Sequence, residues 1–249
     1  MSLVTIVIPC YNEYHSLPTL FQKARYITSN YDIEFIFVDN GSLDKTWRFM
    51  KKEKKNDKIK LLRITKNNGY GYGIKFALNH INSSYFGWTH ADLQTDLFDL
   101  IKVFEIIIEN NKENNKNLLC IKGIRYGRKF SEKLTSFFMS LITKTFFFPW
   151  ATFEINAQPS IYHSSLKPYL KKSPNDYNFD VYAYLLSFFL NFEQRRFPVL
   201  FPTRIYGKSH WNINFFYKIK FISNTFLFII EMFIKIKIFP KKFKKIRIS

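Results

Sequence analysis

Cysteine is scarce in this sequence, and its most apolar region has no uncharged run long enough to cross a bilayer. Cys10 and Cys120 are its two cysteines, far apart and each within an apolar segment. This argues against a disulfide framework or a zinc site and fits a reducing compartment. Within residues 215–239 the longest uncharged stretch is 221–230, whereas a transmembrane helix needs about 20 apolar residues. Residues 1–9 lack the basic start of a secretory signal, so we expect a cytoplasmic protein.

Acidic residues are also few. The 249 residues include 19 Asp and Glu against 38 Lys and Arg, which gives a formal net charge of +19. Such a charge suits nucleic acid, anionic lipid or phosphorylated small molecules. No helix-turn-helix, zinc-finger or aromatic RNA-binding motif accompanies the lysines, so we expect no nucleic-acid partner.

Two hydrophobic periods alternate through the first half of the chain. Short apolar runs typical of strands occupy residues 4–9, 33–38, 59–64, 85–89 and 118–123. Segments typical of helices lie between them, at 17–28, 45–55, 73–81 and 98–110. This alternation predicts an α/β fold with a mainly parallel, Rossmann-like sheet flanked by helices. A Phe-rich run at 134–148 indicates a further helix, and irregular sequence with several prolines follows it.

Polar or glycine-rich loops follow the first four predicted strands. In a parallel sheet, ligands bind outside the carboxyl ends of the strands, where each strand leads into a helix. The loops at these positions are 9–13 (PCYNE), 39–42 (DNGS), 67–73 (NNGYGYG) and 90–94 (HADLQ). We expect them to converge on one edge of the sheet and to form a binding site there.

Asp92 and Gln94 follow the fourth predicted strand with one residue between them. In an extended loop this spacing places two oxygen ligands on one side, as Mg²⁺ or Mn²⁺ prefers, and His90 could supply a third ligand. Asp92 could equally cap the helix that follows. The spacing therefore leaves a metal site and a helix cap as alternatives.

Glycines occupy alternate positions from Gly69 to Gly73, and Lys75 comes soon after them. Backbone N–H groups in such a loop can approach a phosphate. The spacing matches neither a Walker loop nor the dinucleotide fingerprint, so a simple tight turn is the alternative. Asp39 stands where a carboxylate accepts hydrogen bonds from a base or ribose, with helix capping again as the alternative.

Taken together, these motifs resemble glycosyltransferase family 2, and within it the polyprenyl-phosphate sugar synthases. The matching segments follow the order of the family from about residue 2 to residue 210. They are 8–13 (IPCYNE), 38–46 (VDNGSLDKT), 67–73 (NNGYGYG), 91–94 (ADLQ), Gly123 with Arg125, 155–159 (INAQP) and 204–209 (RIYGKS).

The resemblance implies a GT-A fold and an inverting enzyme that uses Mg²⁺ or Mn²⁺. The enzyme would move a sugar from a nucleotide-diphosphate sugar to a polyprenyl phosphate or other membrane-linked acceptor. The residues implied for donor binding are Pro9, Tyr11, Glu13, Asp39, Gly69, Lys75, Arg204 and Ser209. Those implied for the metal are His90, Asp92 and Gln94.

The same resemblance implies catalytic and acceptor-binding residues. Asp92, Glu154 and Asp180 would be catalytic, while Arg125 and Arg128 would bind an acceptor phosphate. From their residue type alone, these arginines could instead be solvated charges. A phosphate acceptor is already ionised, so the reaction would need no strong general base.

Three positions depart from the family pattern. His90 stands at the first acid of an Asp-x-Asp motif, Asn40 at the second acid of Asp-Asp-Gly-Ser, and Glu154 at a position often held by another carboxylate. An imidazole ligand would favour softer metal ions. Two alternatives stay open: a transferase of the same fold acting on a cell-surface glycan or lipopolysaccharide precursor, and a non-catalytic protein that binds nucleotide sugars.

The last part of the sequence combines apolar and basic residues. Residues 215–239 are mostly apolar, and five basic residues follow them: Lys241, Lys242, Lys244, Lys245 and Arg247. This pairing attracts anionic lipid, although a core or dimer helix with a disordered basic end is the alternative. We therefore predict a GT-A domain at 1–212 and an amphipathic tail at 213–249. The tail would hold the protein on the inner face of the membrane.

Overall fold

A computed structural model describes residues 2–112, 118–128, 141, 144–145, 154–204, 206 and 215–238, with side chains described from 222 to 235 in the last segment. Strands and helices alternate through the first half: β1 (Val4–Cys10), α1 (Leu17–Asn30), β2 (Ile33–Asn40), α2 (Thr46–Glu53), β3 (Ile59–Ile64), α3 (Tyr70–Leu78), β4 (Tyr85–Trp88), α4 (Asp99–Lys112) and β5 (Leu119–Tyr126). The predicted elements of this half are confirmed with small shifts at their ends. The helix α3 begins at Tyr70 rather than at the predicted residue 73.

The second half is more regular than its sequence indicates. It contains β6 (Ser160–His163), a 3-10 helix (Ser164–Lys172), α5 (Asn178–Phe189), β7 (Glu193–Leu200) and α6 (Phe215–Ile238). The irregular sequence after residue 148 therefore forms regular elements that were not predicted up to residue 200, while α6 lies within the predicted amphipathic segment 215–239. The helix predicted at 134–148 lies outside the described residues, apart from 141 and 144–145.

The described strands form one seven-stranded sheet in the order β3-β2-β1-β4-β6-β5-β7. β1 pairs in parallel with β2 and β4, β2 with β3, and β5 with β7. Only β6 is antiparallel to its neighbours β4 and β5 in this sheet. The predicted α/β fold with a mainly parallel sheet is confirmed, and the carboxyl ends of the parallel strands share one edge.

Helices cover both faces of the sheet, so the central strands are buried on both sides. On one face, side chains such as Ile6 and Phe35 pack with Phe21 of α1 and Val103 of α4. On the other face, Val7, Ile36 and Trp88 pack with α3 and α5. This double burial fixes the register of the strands and holds the loops at the carboxyl edge in place.

The helix α6 packs its apolar side on this core. Ile229 and Met232 are buried in the cluster that also contains α3 and α5. The opposite side is exposed and mostly polar, with Ser223, Asn224, Leu227, Glu231, Ile234 and Lys235. Among the described helices, none combines the length and apolar character needed to span a bilayer. The described part of α6 thus agrees with the alternative of a core helix.

Candidate active site

Two loops at the carboxyl edge, after β1 and β2, are joined by hydrogen bonds. The backbone N–H of Asn12 donates to Ser42 Oγ at 3.0 Å, and Asn12 Oδ1 accepts from the Leu43 N–H at 2.8 Å. The Glu13 N–H donates to Thr46 Oγ1 at 3.0 Å. These bonds fix the backbone of Glu13, whose side chain reaches across the edge.

Asp39 lies at the end of β2, and its carboxylate is fully buried. Its Oδ1 accepts from the Ser42 N–H at 3.0 Å, and its Oδ2 lies 3.2 Å from Nε of Arg63. Arg63 is the β3 residue paired with Asp39 in the sheet register, and its guanidinium lies 5.3 Å above the ring centre of Trp47. The sequence motifs did not indicate Arg63, because it lies within a strand rather than in a loop.

The glycines after β3 allow close packing. A Cβ on Gly69, where φ is +105°, would lie 2.4 Å from the Asn175 carbonyl oxygen, and one on Gly71 would lie 2.7 Å from that of Pro174. Packing therefore accounts for these glycines without a ligand, and the predicted role of Gly69 in donor binding stays a prediction. Asn40 Nδ2 donates to the Gly69 carbonyl at 3.0 Å, which a carboxylate could not do.

Lys75 lies on α3 and is directed towards the segment after the 3-10 helix. Its Nζ donates to the Ser173 carbonyl oxygen at 2.6 Å, and partial burial lowers the pKa of its ammonium group. The structure thus gives Lys75 a contact that ties α3 to residue 173. Its predicted contact with the donor stays a prediction.

The loop after β4 meets the segment after β7 and the loop after β1. Asp92 Oδ1 accepts from the Gln94 N–H at 3.1 Å, and its Oδ2 lies 4.0 Å from Arg204 Nε. Arg204 also forms an ion pair with Glu13, and Gln94 Nε2 donates to the Pro202 carbonyl at 3.1 Å. Burial raises the pKa of Glu13, and the positive charge of Arg204 opposes this shift. Carboxylates from two loops therefore share one guanidinium.

Asp180 lies in the core directly behind this edge. Its Oδ1 accepts from Trp88 Nε1 at 2.5 Å, and its Oδ2 accepts from Gln158 Nε2 at 3.3 Å. The residue is 3% exposed, and burial raises its pKa against the charges of Lys122 and His90. With both oxygens bonded to core side chains, Asp180 is placed to orient its neighbours. Its predicted catalytic role stays a prediction.

A cluster of arginines surrounds Glu154, beyond the end of β5. Arg125 Nε lies 2.6 Å from Glu154 Oε2, and Arg128 contacts Oε1 of the same carboxylate. Arg196 Nη1 donates to the Glu154 backbone carbonyl at 3.3 Å. Glu154 has a φ of 64°, a conformation that costs energy for a residue with a side chain. The predicted acceptor-site arginines and Glu154 are thus brought together by the structure.

Residues 5–166 match the family model described as Glycosyl transferase family 2. The chain belongs to glycosyl transferase family 2. It is 26% identical over 141 residues to "Dolichol-phosphate mannosyltransferase" of Pyrococcus furiosus, and this match covers 57% of this chain and 38% of that protein. It is 33% identical over 97 residues to "Undecaprenyl-phosphate 4-deoxy-4-formamido-L-arabinose transferase" of Photorhabdus laumondii, covering 36% and 29%. The chain therefore spans well under half the length of these curated relatives.

The fold comparison agrees with family membership. Glucosyl-3-phosphoglycerate synthase from Mycobacterium tuberculosis, in complex with Mn²⁺, UDP-Glc and phosphoglyceric acid, superposes with a TM-score of 0.69. The match covers 93% of this chain and 79% of that one at 10% sequence identity, so it bears on the fold alone. The predicted GT-A fold is confirmed, in agreement with membership of glycosyl transferase family 2.

Asp92 is the carboxylate at this edge that the family resemblance implies as a metal ligand. Among the described residues, no group of three or more His, Cys, Asp or Glu side chains is arranged to hold a metal ion. The His90 ring lies against Tyr70, with 5.6 Å between ring centres. Mg²⁺ is commonly bound by one or two carboxylates plus substrate phosphates and water, and Asp92 fits that pattern. The three-residue set with Gln94 and His90 stays a prediction.

Three further residues were predicted to bind the donor. Two of them lie at the same edge of the sheet, and the third lies outside the described residues. Pro9 is a half-buried residue of β1, and Tyr11 follows that strand and is also half-buried. Ser209 lies outside the described residues. The loops after β1 and β4 thus meet Arg204, and the loop after β2 is joined to the loop after β1. Arg63 adds a contact that the sequence did not indicate.

Proposed function

We propose that this glycosyltransferase moves a sugar, with inversion, from a nucleotide-diphosphate sugar to a polyprenyl phosphate or another membrane-linked acceptor. The observation that carries the proposal is the meeting of Glu13, Asp92 and Arg204 at an edge that also holds the Arg125–Arg128 pair. Support comes from the curated relatives, which are named as transferases acting with dolichol phosphate or undecaprenyl phosphate.

On the donor side, buried and charged groups offer contacts to the nucleoside and the diphosphate of a nucleotide sugar. Asp39 and Arg63 provide an acceptor and a cation beside the loop after β2, where a nucleoside would lie. Arg204 provides a cation for the diphosphate. Asp92 and the diphosphate would hold Mg²⁺ or Mn²⁺, which would neutralise charge on the departing nucleoside diphosphate.

On the acceptor side, Glu154 holds two guanidinium groups in fixed positions. A phosphate approaching Arg125 and Arg128 would meet cations whose orientation is already set, so less conformational entropy would be lost on binding. An oxygen of this phosphate would form a bond to the anomeric carbon as the bond from that carbon to the diphosphate oxygen breaks. Glu154 would serve as a positioning residue in this reaction.

A transfer assay tests the proposal directly. Purified protein would be incubated with Mn²⁺, one radiolabelled UDP- or GDP-sugar at a time, and either undecaprenyl phosphate, dolichyl phosphate or the corresponding unphosphorylated alcohol. Label in the phosphate-bearing lipids but not in the alcohols is the expected result. Label in a soluble oligosaccharide instead would favour the glycan acceptor, and nucleotide-sugar binding without transfer or hydrolysis would favour a non-catalytic binder.

Replacing Arg63 by alanine should weaken binding of the preferred nucleoside diphosphate by about tenfold. The substitution removes the cation beside buried Asp39, and hydrogen bonds or ion contacts to charged groups contribute about 1.5–3 kcal/mol. Titration calorimetry would give the affinity. Arg48→Ala is the matched control, because Arg48 lies exposed on the neighbouring helix α2. Equal affinities for Arg63→Ala and wild type would contradict a nucleoside site here.

We also propose that residues 213–249 bring the protein to anionic membranes, through the basic end rather than the helix. The described side of α6 that faces away from the core is mostly polar, while each basic residue near an anionic surface contributes about 1 kcal/mol. Replacing the five basic residues with glutamine should lower affinity for phosphatidylglycerol-containing vesicles at least tenfold in co-sedimentation. The five are Lys241, Lys242, Lys244, Lys245 and Arg247.

A variant with the same change in net charge serves as the control for this experiment. Five exposed lysines elsewhere would be changed to glutamine: Lys52, Lys54, Lys55, Lys66 and Lys172. If vesicle binding falls equally in both variants, the attraction comes from total charge and the tail has no special role. Unchanged binding in the tail variant would also oppose the proposal.

A further inference from the structure

A pair of stacked tyrosines stands beside the proposed donor site. The rings of Tyr70 and Tyr177 are 5.2 Å apart between centres and inclined by 17°. Tyr70 is the first residue of α3, and Tyr177 immediately precedes α5. Tyr177 as a whole is 36% exposed, and Tyr70 stacks against one face of its ring. The two therefore form an aromatic surface rather than a buried core contact.

This aromatic surface lies next to the loop after β4, because the ring centre of Tyr70 is 5.6 Å from that of His90, two residues before Asp92. Burial raises the pKa of the Tyr177 hydroxyl, and the charges of four site residues also act on it: Arg204, Asp92, Asp180 and Glu13. These four come from separate loops and from the core behind the edge. Tyr177 thus lies within electrostatic range of the groups proposed to hold the diphosphate and of those behind them.

Tyr70, which stacks on Tyr177, is held in place by a chain of hydrogen bonds to buried side chains. Gln158 Nε2 donates to the Tyr70 hydroxyl and also to Asp180 Oδ2, while Trp88 donates to Asp180 Oδ1. Gln158, Trp88 and Asp180 are all nearly or fully buried. A network of this kind holds a side chain in one orientation, which suits a surface that must present one face to a ligand.

The glycines of α3 bring the two tyrosines together. The Tyr72 N–H donates to the Asn175 carbonyl at 3.0 Å, and a Cβ on Gly71 would lie 2.7 Å from the Phe179 Cβ and 2.9 Å from the Asp176 carbonyl. Only glycine lets the start of α3 approach the 174–177 segment this closely. The glycine-rich motif thus sets the distance between the tyrosine rings.

We propose that the exposed face of Tyr177 is the surface against which the ring of the transferred sugar packs, making Tyr177 a specificity-determining residue for the donor. The inference rests on the proposed function. A pyranose has one face lined by C–H groups, and a flat aromatic ring excludes water from such a face. A nucleoside diphosphate lacks the sugar and would gain little from this contact.

The test compares nucleotides with and without the sugar. The nucleoside diphosphate that stabilises the wild-type protein most, among UDP, GDP, CDP and dTDP with Mn²⁺, would be titrated by calorimetry beside its glucose and mannose derivatives. Tyr177→Ala should weaken binding of the preferred nucleotide sugar about tenfold and change binding of the free diphosphate less than twofold. Tyr177→Phe keeps the ring and should stay within about threefold for both ligands.

Control variants distinguish a contact between Tyr177 and the sugar from a general role of Tyr177 in the site. Tyr26→Ala removes an exposed tyrosine from α1 and should leave both affinities unchanged. Equal losses for both ligands in Tyr177→Ala would show that the residue supports the site as a whole, and no loss for either would also overturn the inference. If no nucleotide binds to the wild-type protein, the proposed function itself fails, and this inference fails with it.

Discussion

Replacing Asp92 by asparagine should lower the rate of sugar transfer about a thousandfold. The change removes one negative charge from the edge of the sheet but keeps an oxygen that can accept from the Gln94 N–H. Without the carboxylate, the diphosphate would lose its protein-bound metal, whose charge stabilisation contributes several kcal/mol to such reactions, and each 1.36 kcal/mol changes the rate about tenfold. Steady-state transfer with Mg²⁺ and with Mn²⁺ would measure the effect.

A second measurement distinguishes metal loss from damage to the fold. Wild-type protein should show a larger thermal shift with nucleotide and Mn²⁺ than with nucleotide alone, and Asp92→Asn should show the same shift under both conditions. Asp96→Asn is the control, since Asp96 lies four positions further along and forms an exposed ion pair with Lys23 at 2.7 Å. Such pairs contribute only about 0–1 kcal/mol. A metal-dependent shift that survives in Asp92→Asn would exclude Asp92 as the ligand.

The expected size of this effect follows from the arrangement of charges around Arg204. Its guanidinium pairs with Glu13 and lies 4.0 Å from Asp92, so it is shared between two carboxylates before any ligand binds. A nucleoside diphosphate adds further negative charge to the same place. Arg204 alone would not balance that charge, so the additional negative charge would favour binding of a divalent cation at Asp92.

The first half of the fold could be predicted because its apolar residues follow the strand period and the helix period without interruption. The second half could not, because its elements break the patterns on which such predictions depend. β6 has only four residues, and β7 contains Pro198 and two adjacent arginines. β7 lies at the edge of the sheet, where a proline in a strand is tolerated. Its identity as a strand therefore depends on tertiary position rather than on local sequence.

The residues of the site could likewise be predicted only in part. Loops after predicted strands indicated Glu13 and Asp92, the family resemblance indicated Arg204, and the structure brings these residues together. Arg63 and Tyr177 were not indicated, since the register of β3 against β2 and the approach of α3 to the 174–177 segment create their contacts. Long-range pairing of this kind has no local sequence pattern.

Asn40 shows how a departure from a family pattern can have a structural reason. Its side-chain amide donates to the Gly69 carbonyl, and an aspartate would place a negative charge against that oxygen instead. The asparagine therefore holds the start of α3 against β2. The departure at this position is explained by packing and is no argument that the site has lost its activity.

Lys122 gives the second large expected effect, a rise in stability at alkaline pH. This lysine is fully buried in β5, where its Nζ donates to Ser160 Oγ and lies 5.6 Å from the ring centre of Tyr184. Burial lowers its pKa from the ordinary 10.5 to about 8, against the opposing charge of Asp180. Between these two values the unfolded chain binds more protons than the folded one, so the free energy of unfolding should increase as pH rises.

The expected rise is about 2–3 kcal/mol between pH 8 and pH 10, because each unit of pKa difference corresponds to about 1.36 kcal/mol. Urea unfolding at pH 7, 8.5 and 10 would measure it in wild type and in Lys122→Met, which keeps an unbranched apolar chain. The rise should be absent in Lys122→Met and retained in Lys52→Met, where the lysine is exposed.

Only the difference between the variants isolates Lys122, because other buried groups also titrate at high pH. Burial raises the pKa of the Tyr70 and Tyr162 hydroxyls, so the unfolded chain loses these protons first and stability falls as pH rises through their range. That fall is common to all three proteins and cancels in the comparison. If Lys122→Met shows the same pH dependence as wild type, the pKa of Lys122 is the same in the folded and the unfolded chain, and burial does not lower it. Asp180 would then keep its buried cation throughout this pH range, and the network that holds Tyr70 would retain a charged partner.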